Sequence, residues 1–223
     1  MSTRLDYDEL FEEASGRIGG EAVAGFTARE GRLALRLLFS DWANRGCQMW
    51  QLDEIVVPLA AATTLPADTT DVVEAFVRID GRDRTIQRIG LTSWVDVEEK
   101  SAAGRPCSYL VERRRDAPVL RISPLPDFAG ELHVWRIREA TAVSSMSDLV
   151  DVPERFLASA AAGLAYQLGL KRLAKQAAEK NENLRFLIQT LKAEYEQLLL
   201  NALEADRETA TIRFAVDMGG YFD

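Results

Sequence analysis

The stretch from Asp151 to Ala210 constrains this chain most, because no proline follows Pro153. Asp151 is followed three residues later by Glu154, with proline between them. That pattern predicts a helix start, in which a side-chain oxygen takes an orphan backbone N–H and proline lacks the one that would go unused. One unbroken helix of about 60 residues would be roughly 90 Å long, far beyond an ordinary domain. The polar run Lys180-Asn181-Glu182-Asn183 therefore predicts a break into an antiparallel pair. Phe156, Ala160, Leu164 and Leu168 share one face of the first helix. Leu184, Leu187, Ile188, Leu191, Tyr195, Leu198 and Ala202 share one face of the second. Ala158, Ala160, Ala161, Ala162 and Ala165, with Gly163, allow another helix to approach closely, either within the chain or from a second copy.

Upstream, Tyr7 to Arg17 reads as a short acidic helix stopped by Gly16, Gly19 and Gly20. Thr27-Ala28-Arg29-Glu30 is a capping box, and Leu35, Leu38, Phe39 and Trp42 behind it form one apolar stripe that Gly46 ends. From Trp50 the period changes. Segments 55–58, 72–77, 84–89, 109–111, 119–122 and 132–137 are short and β-rich, separated by turn formers such as Pro66-Ala67-Asp68, Asp80-Gly81 and Pro124-Leu125-Pro126-Asp127. They predict a compact antiparallel β module with a short helix near Thr92 to Glu99, leaving through a polar linker from Thr141 to Asp148. The last thirteen residues, Thr211 to Asp223, hold Phe214, Tyr221 and Phe222 but too few neighbours to fold alone, which suits a frayed end or an arm that orders against a partner.

The fold class that results is α+β: a helical body of N-terminal helices plus a long C-terminal antiparallel pair, an inserted antiparallel β module, and an extended C-terminal arm. The expected boundaries are 1–48, 49–148, 149–210 and 211–223. Hydrophobic content of 47% over 223 residues supports a real core. No apolar run approaches the length of a membrane span and the first residues lack a signal core, so the expected setting is the cytoplasm or a particle assembled there. Cys47 and Cys107 follow no metal spacing and fit a reducing compartment. The net charge of −8 is spread evenly, with six basic against eight acidic residues up to 48, twelve against sixteen from 49 to 150, and nine against eleven beyond. No segment is a basic platform for nucleic acid. The run Arg113-Arg114-Arg115 is the exception, a candidate lining for a nucleic-acid passage or a contact with acids on a neighbour.

Catalytic constellations are not legible. His133 is the only histidine, and its alternation with Leu132 and Val134 makes it a sheet-face residue, which leaves serine triads and histidine zinc sites without a base or ligand. Gly16-Arg17-Ile18-Gly19-Gly20 lacks the spacing and lysine of a phosphate loop. Glu12-Glu13 and Glu98-Glu99 read as solvated faces, and Trp42, Trp50, Trp94 and Trp135 mostly as core. No catalytic, cofactor or metal residue is expected. A good core, an aromatic tail and no site point to an assembly component; the alternative is a cytoplasmic protein-protein interaction module.

The order of features also carries a resemblance. It runs through Asp41-Trp42-Ala43-Asn44-Arg45-Gly46, then Trp50, Leu52 and the run from Leu65 to Ala75. Arg88-Ile89, Gly104-Arg105-Pro106, Asp116-Ala117-Pro118 and Pro124-Leu125-Pro126-Asp127 follow. Asp151 to Phe156, Ala162 to Tyr166, Leu191 to Tyr195 and Asp206-Arg207-Glu208 close it. From about Asp6 to Glu208 the chain resembles the head-to-tail adaptors of short-tailed bacteriophages, of the tail tubular protein A type. The resemblance implies a dodecameric homo-oligomeric ring in the virion, bound beneath the portal protein and carrying the tail nozzle protein, through which double-stranded DNA passes without sequence-specific contact. It also implies that Ile212, Arg213, Phe214, Val216, Met218, Tyr221 and Phe222 form a portal-binding arm.

Overall fold

The computed structural model describes residues 5–19, 28–47, 49–175 and 182–206. Its elements in chain order are helix α1 (Tyr7–Arg17), helix α2 (Ala28–Asn44), strands β1 (Leu52–Pro58), β2 (Ala62–Thr64), β3 (Thr69–Ile79) and β4 (Arg82–Arg88), and helix α3 (Leu91–Val95). Strands β5 (Ala103–Gly104), β6 (Ser108–Glu112), β7 (Val119–Ser123), β8 (Leu125–Pro126) and β9 (Glu131–Arg138) follow, then helices α4 (Glu154–Lys175) and α5 (Glu182–Asp206). The chain is mixed α+β, with five helices and a curled sheet among the described residues.

Helix α1 starts on a capping box: the Asp6 carboxylate accepts from the Glu9 N–H at 2.9 Å, and Glu9 accepts from the Asp6 N–H at 3.2 Å. Thr27, expected to cap α2, lies outside the described residues. The stripe on α2 is buried at Leu35, Leu38 and Trp42, and Gly46 follows the helix with φ +76°, a conformation glycine adopts without cost. Helix α4 is the centre of this core. Phe156, Ala160, Ala161, Ala162, Leu164, Ala165 and Leu168 are all buried, and α1, α2 and α5 all pack on it, so no single polar face is left to show. Of the alanines read as contact makers, only Ala158 is exposed. The small residues therefore serve packing inside this chain.

Close approach has specific causes. A Cβ at Gly163 would stand 2.9 Å from Leu38 Cδ1 and 3.0 Å from Tyr195 Cδ2, so glycine is what lets α2 and α5 both press on α4. Opposite Gly163, Trp42 Nε1 donates to the Tyr195 hydroxyl at 2.9 Å in the buried core. Burial pushes the Tyr195 phenol up to about 12, keeping it a neutral acceptor for that donor. Gly169 faces Ile188 as Gly163 faces Tyr195, an order that makes α4 and α5 antiparallel. Arg45 joins the end of α2 to α5 through Glu196 at 2.8 Å, and Arg17 joins α1 to α5 through Glu194 at 2.8 Å.

Seven strands form one sheet in the order β1-β9-β3-β4-β6-β7-β2. Its two ends share a core: Val72, Ala75, Val77, Ile86, Leu132 and Val134 from one half meet Leu65, Tyr109, Leu120 and Ile122 from the other. Asp80 and Gly81, with φ 50° and 74°, make the tight β3–β4 turn the sequence signalled. The module is not purely antiparallel. Strand β6 runs parallel to β4, with Gln87 opposite Ser108 and Arg88 opposite Tyr109, and β5 runs parallel to β8. The cause is the long connection through α3, which lets the chain return in the same direction where a hairpin turn could not.

Asp151 does not cap α4 as expected. Its carboxylate accepts from Nη1 and Nη2 of Arg138, at 2.6 and 3.1 Å, and from the Thr141 N–H at 2.9 Å. A guanidinium held in a two-pronged bond outcompetes an orphan N–H for the same oxygens.

Candidate functional site

Where the helices meet the sheet lies a seam of charged contacts. In the linker after β9, residues 146–150 run back along the N-terminus: Tyr7 N donates to Asp148 O, Asp8 N to Met146 O, and Val150 N to Leu5 O. Within this linker the Asp148 carboxylate accepts from the backbone and hydroxyls of Ser144 and Ser145, and those bonds hold it far below the usual carboxylate range. At the end of β9, Arg136 lies almost fully buried with Nη1 on Asp68 Oδ1 at 2.5 Å and Thr69 Oγ1 at 2.9 Å, and Nη2 on Asp53 at 3.1 Å. Arg136 also pulls Asp68 below its ordinary pKa. For Asp151, burial works to raise the pKa, but the Arg138 and Thr141 donors outweigh it and the group is held low. Trp50 donates its indole N–H to Asp151 O and packs at a tilt against Phe156, with centroids 4.7 Å apart, which ties the turn just before β1 to the start of α4. Sequence reasoning missed this charged seam, since its members are scattered from Asp53 to Asp151 and no local motif joins them.

Beside the seam lies a groove of about 550 Å³. One wall is α2, through Arg32, Leu33, Arg36 and Leu37; the other is residues 139–143, with Gln51 and Thr70. Leu33 and Leu37 are each 52% exposed, although they sit on a helix whose core stripe is already complete. The signal was present as a second apolar pair at i and i+4. The groove's walls offer apolar surface edged by two arginines, a set suited to binding an apolar, acid-flanked segment.

The arginine run resolves into internal pairs. Arg113 meets Asp71 at 3.0 Å, and Asp71 also holds Arg88 at 2.9 Å. Arg114 meets Glu112 at 2.6 Å, and Glu112 also holds Arg121. Arg115 is exposed and makes no ion pair among the described residues. His133 is a sheet-face residue as expected: it is buried, its Nδ1 is 2.8 Å from Glu54 Oε1, and its ring stacks on Phe76 with centroids 4.5 Å apart. Glu12, Glu13, Glu98 and Glu99 are exposed, and Trp42 is core. Ile212, Arg213, Phe214, Val216, Met218, Tyr221 and Phe222 lie outside the described residues.

Among the described residues no cluster of three or more histidine, cysteine or carboxylate side chains is placed to hold a metal ion, and no helix is long and apolar enough to cross a membrane. No curated protein matches the chain. The family model of the SU10 adaptor protein matches residues 6–216, nearly the whole length. The chain belongs to the SU10 adaptor protein family, and its role is that of a structural phage adaptor.

Proposed function

We propose that this protein is a head-to-tail adaptor of the tail tubular protein A type, forming a dodecameric ring that joins the portal protein to the tail nozzle and lines part of the DNA ejection channel. The observation that carries the reading is the family match across residues 6–216, which takes in the helices, the sheet and the first part of the arm. In this reading residues 1–48 and 149–210 are the helical body, 49–148 the β module and 211–223 the arm that orders on the portal. Physical features support it. A closed ring needs two different faces on each subunit, and a chain with a helical core and a separate sheet core offers them. A net charge of −8 suits a channel through which DNA slides, since about 6 to 10 cation-phosphate contacts would hold the duplex fast. The internal pairing of Arg113 and Arg114 agrees with that, leaving Arg115 as the cation of the run for DNA or a neighbour.

The test is co-sedimentation of the full chain with its portal protein, compared with a chain ending at Ala210. The full chain enters a complex and the shortened chain does not. Equal binding by both removes the arm assignment, and binding by neither removes the adaptor reading. Monomeric behaviour of the free protein agrees with it, because such rings form on their template.

A further inference from the structure

We infer that the groove on α2 receives helix α3 of a second copy, making the head-to-tail contact between neighbouring subunits; the inference rests on the ring reading above. Helix α3 is a five-residue turn on the connection between β4 and β6, and it carries Leu91 and Val95 at 67% and 63% exposure, the pair spaced four residues apart. No residue of α3 lines the chain's own groove. Two large aliphatic side chains held out on a short ordered helix, with the groove elsewhere on the same chain, form a knob and a socket that a single copy does not join.

Charge selects the pairing. Immediately after Val95 come Asp96, Glu98 and Glu99, all exposed and none in an ion pair among the described residues. Lys100, the one basic residue there, is exposed and folds back over the end of α3, donating to Val95 O and Val97 O at 3.2 and 3.0 Å, which leaves three acids against one base on this tip. The groove's balance is of the opposite sign: Arg32 and Arg36, with no hydrogen bond or ion pair among the described residues, stand against one acid of the lining, Glu139. An apolar tip followed by unpaired acids fits an apolar groove edged by unpaired arginines, and such complementarity fixes register and suppresses wrong partners. The contact is heterologous, knob to groove, so its repetition generates a ring when the rotation closes.

Cross-linking in portal-bound assemblies of the full chain tests this. Cys107 is an exposed free thiol and is replaced (Cys107→Ser) to remove background, while the buried Cys47 stays. The pairs Leu37→Cys with Val95→Cys, and Leu33→Cys with Leu91→Cys, are then oxidised or treated with a short bismaleimide. A double variant yields a covalent ladder of dimers, trimers and longer chains, while each single variant stops at dimers. All four positions are exposed, so folding is retained. In parallel, Arg36→Glu lowers self-association about tenfold, and a second change, Glu98→Arg, recovers part of it. Assemblies that form but give no ladder with either pair overturn this contact and leave the ring intact. Failure to assemble in any preparation, unmodified chain included, overturns the ring reading and this contact with it.

Discussion

Replacing glycine with alanine should have opposite effects at Gly16 and Gly163. Both glycines lie inside helices, where alanine is favoured by about 1 kcal/mol through backbone entropy alone. At Gly16, on the exposed side of α1, a new Cβ meets nothing within 4 Å, so Gly16→Ala keeps that gain. At Gly163 the same atom enters the space of Leu38 and Tyr195, which are both buried and fixed by neighbours. Overpacking a filled core costs about 1–3 kcal/mol, which exceeds the helix gain, so Gly163→Ala loses about 1 kcal/mol net. Gly163→Val, with a branched Cβ, loses about 3 kcal/mol or more. Urea unfolding followed by helical circular dichroism reads both, with an unchanged slope showing that stability alone has moved. If Gly163→Ala raised the midpoint as Gly16→Ala does, the three-helix contact at the centre of α4 would be refuted.

Other consequences follow from single contacts. Trp42→Phe removes the donor to the Tyr195 hydroxyl and leaves a small void, lowering stability by about 2–3 kcal/mol in the same assay. Asp151 is held low by Arg138 and Thr141, so its contribution is fully present above the unfolded carboxylate pKa of about 3.9 and is lost as pH falls through the folded value. Asp151→Asn should therefore destabilise at pH 7 by about 2 kcal/mol and show a smaller difference from the parent below about pH 3, read by thermal unfolding at the two pH values. Arg136→Met removes the cation that binds Asp53, Asp68 and Thr69, and hydrogen exchange should speed at Thr69 and Glu139, whose N–H groups anchor this corner.

How far the sequence disclosed this arrangement depended on the range of each interaction. The α2 stripe and the α4–α5 pair were legible because a helix repeats its buried face every few residues, and Leu35, Leu38 and Trp42 announce that face locally. The Asp80-Gly81 turn was legible because positive φ at both positions has a strong residue preference. The parallel step from β4 to β6 was not, since two strands of one module carry no mark of relative direction once a helix separates them. Nor was the part played by Asp151: its local spacing signalled a cap, and the partner that took its oxygens, Arg138, lies across the linker. Gly31 shows the same limit. Its missing side chain makes room for Tyr7 and Phe11 of α1, a contact no motif records. The groove was half legible, because Leu33 and Leu37 stand in the sequence as a second apolar pair while its opposite wall comes from residues about a hundred positions away.

In the function proposed above, the protein builds the joint between head and tail. Electron microscopy of the assembled phage particle, with this chain located in the density, tests it most directly. The expected image is a ring of this chain directly beneath the portal, with α3 of each subunit seated on α2 of the next and residues 211–223 lying against the portal. A chain found elsewhere in the particle, or missing from it, would rule out an adaptor at the joint.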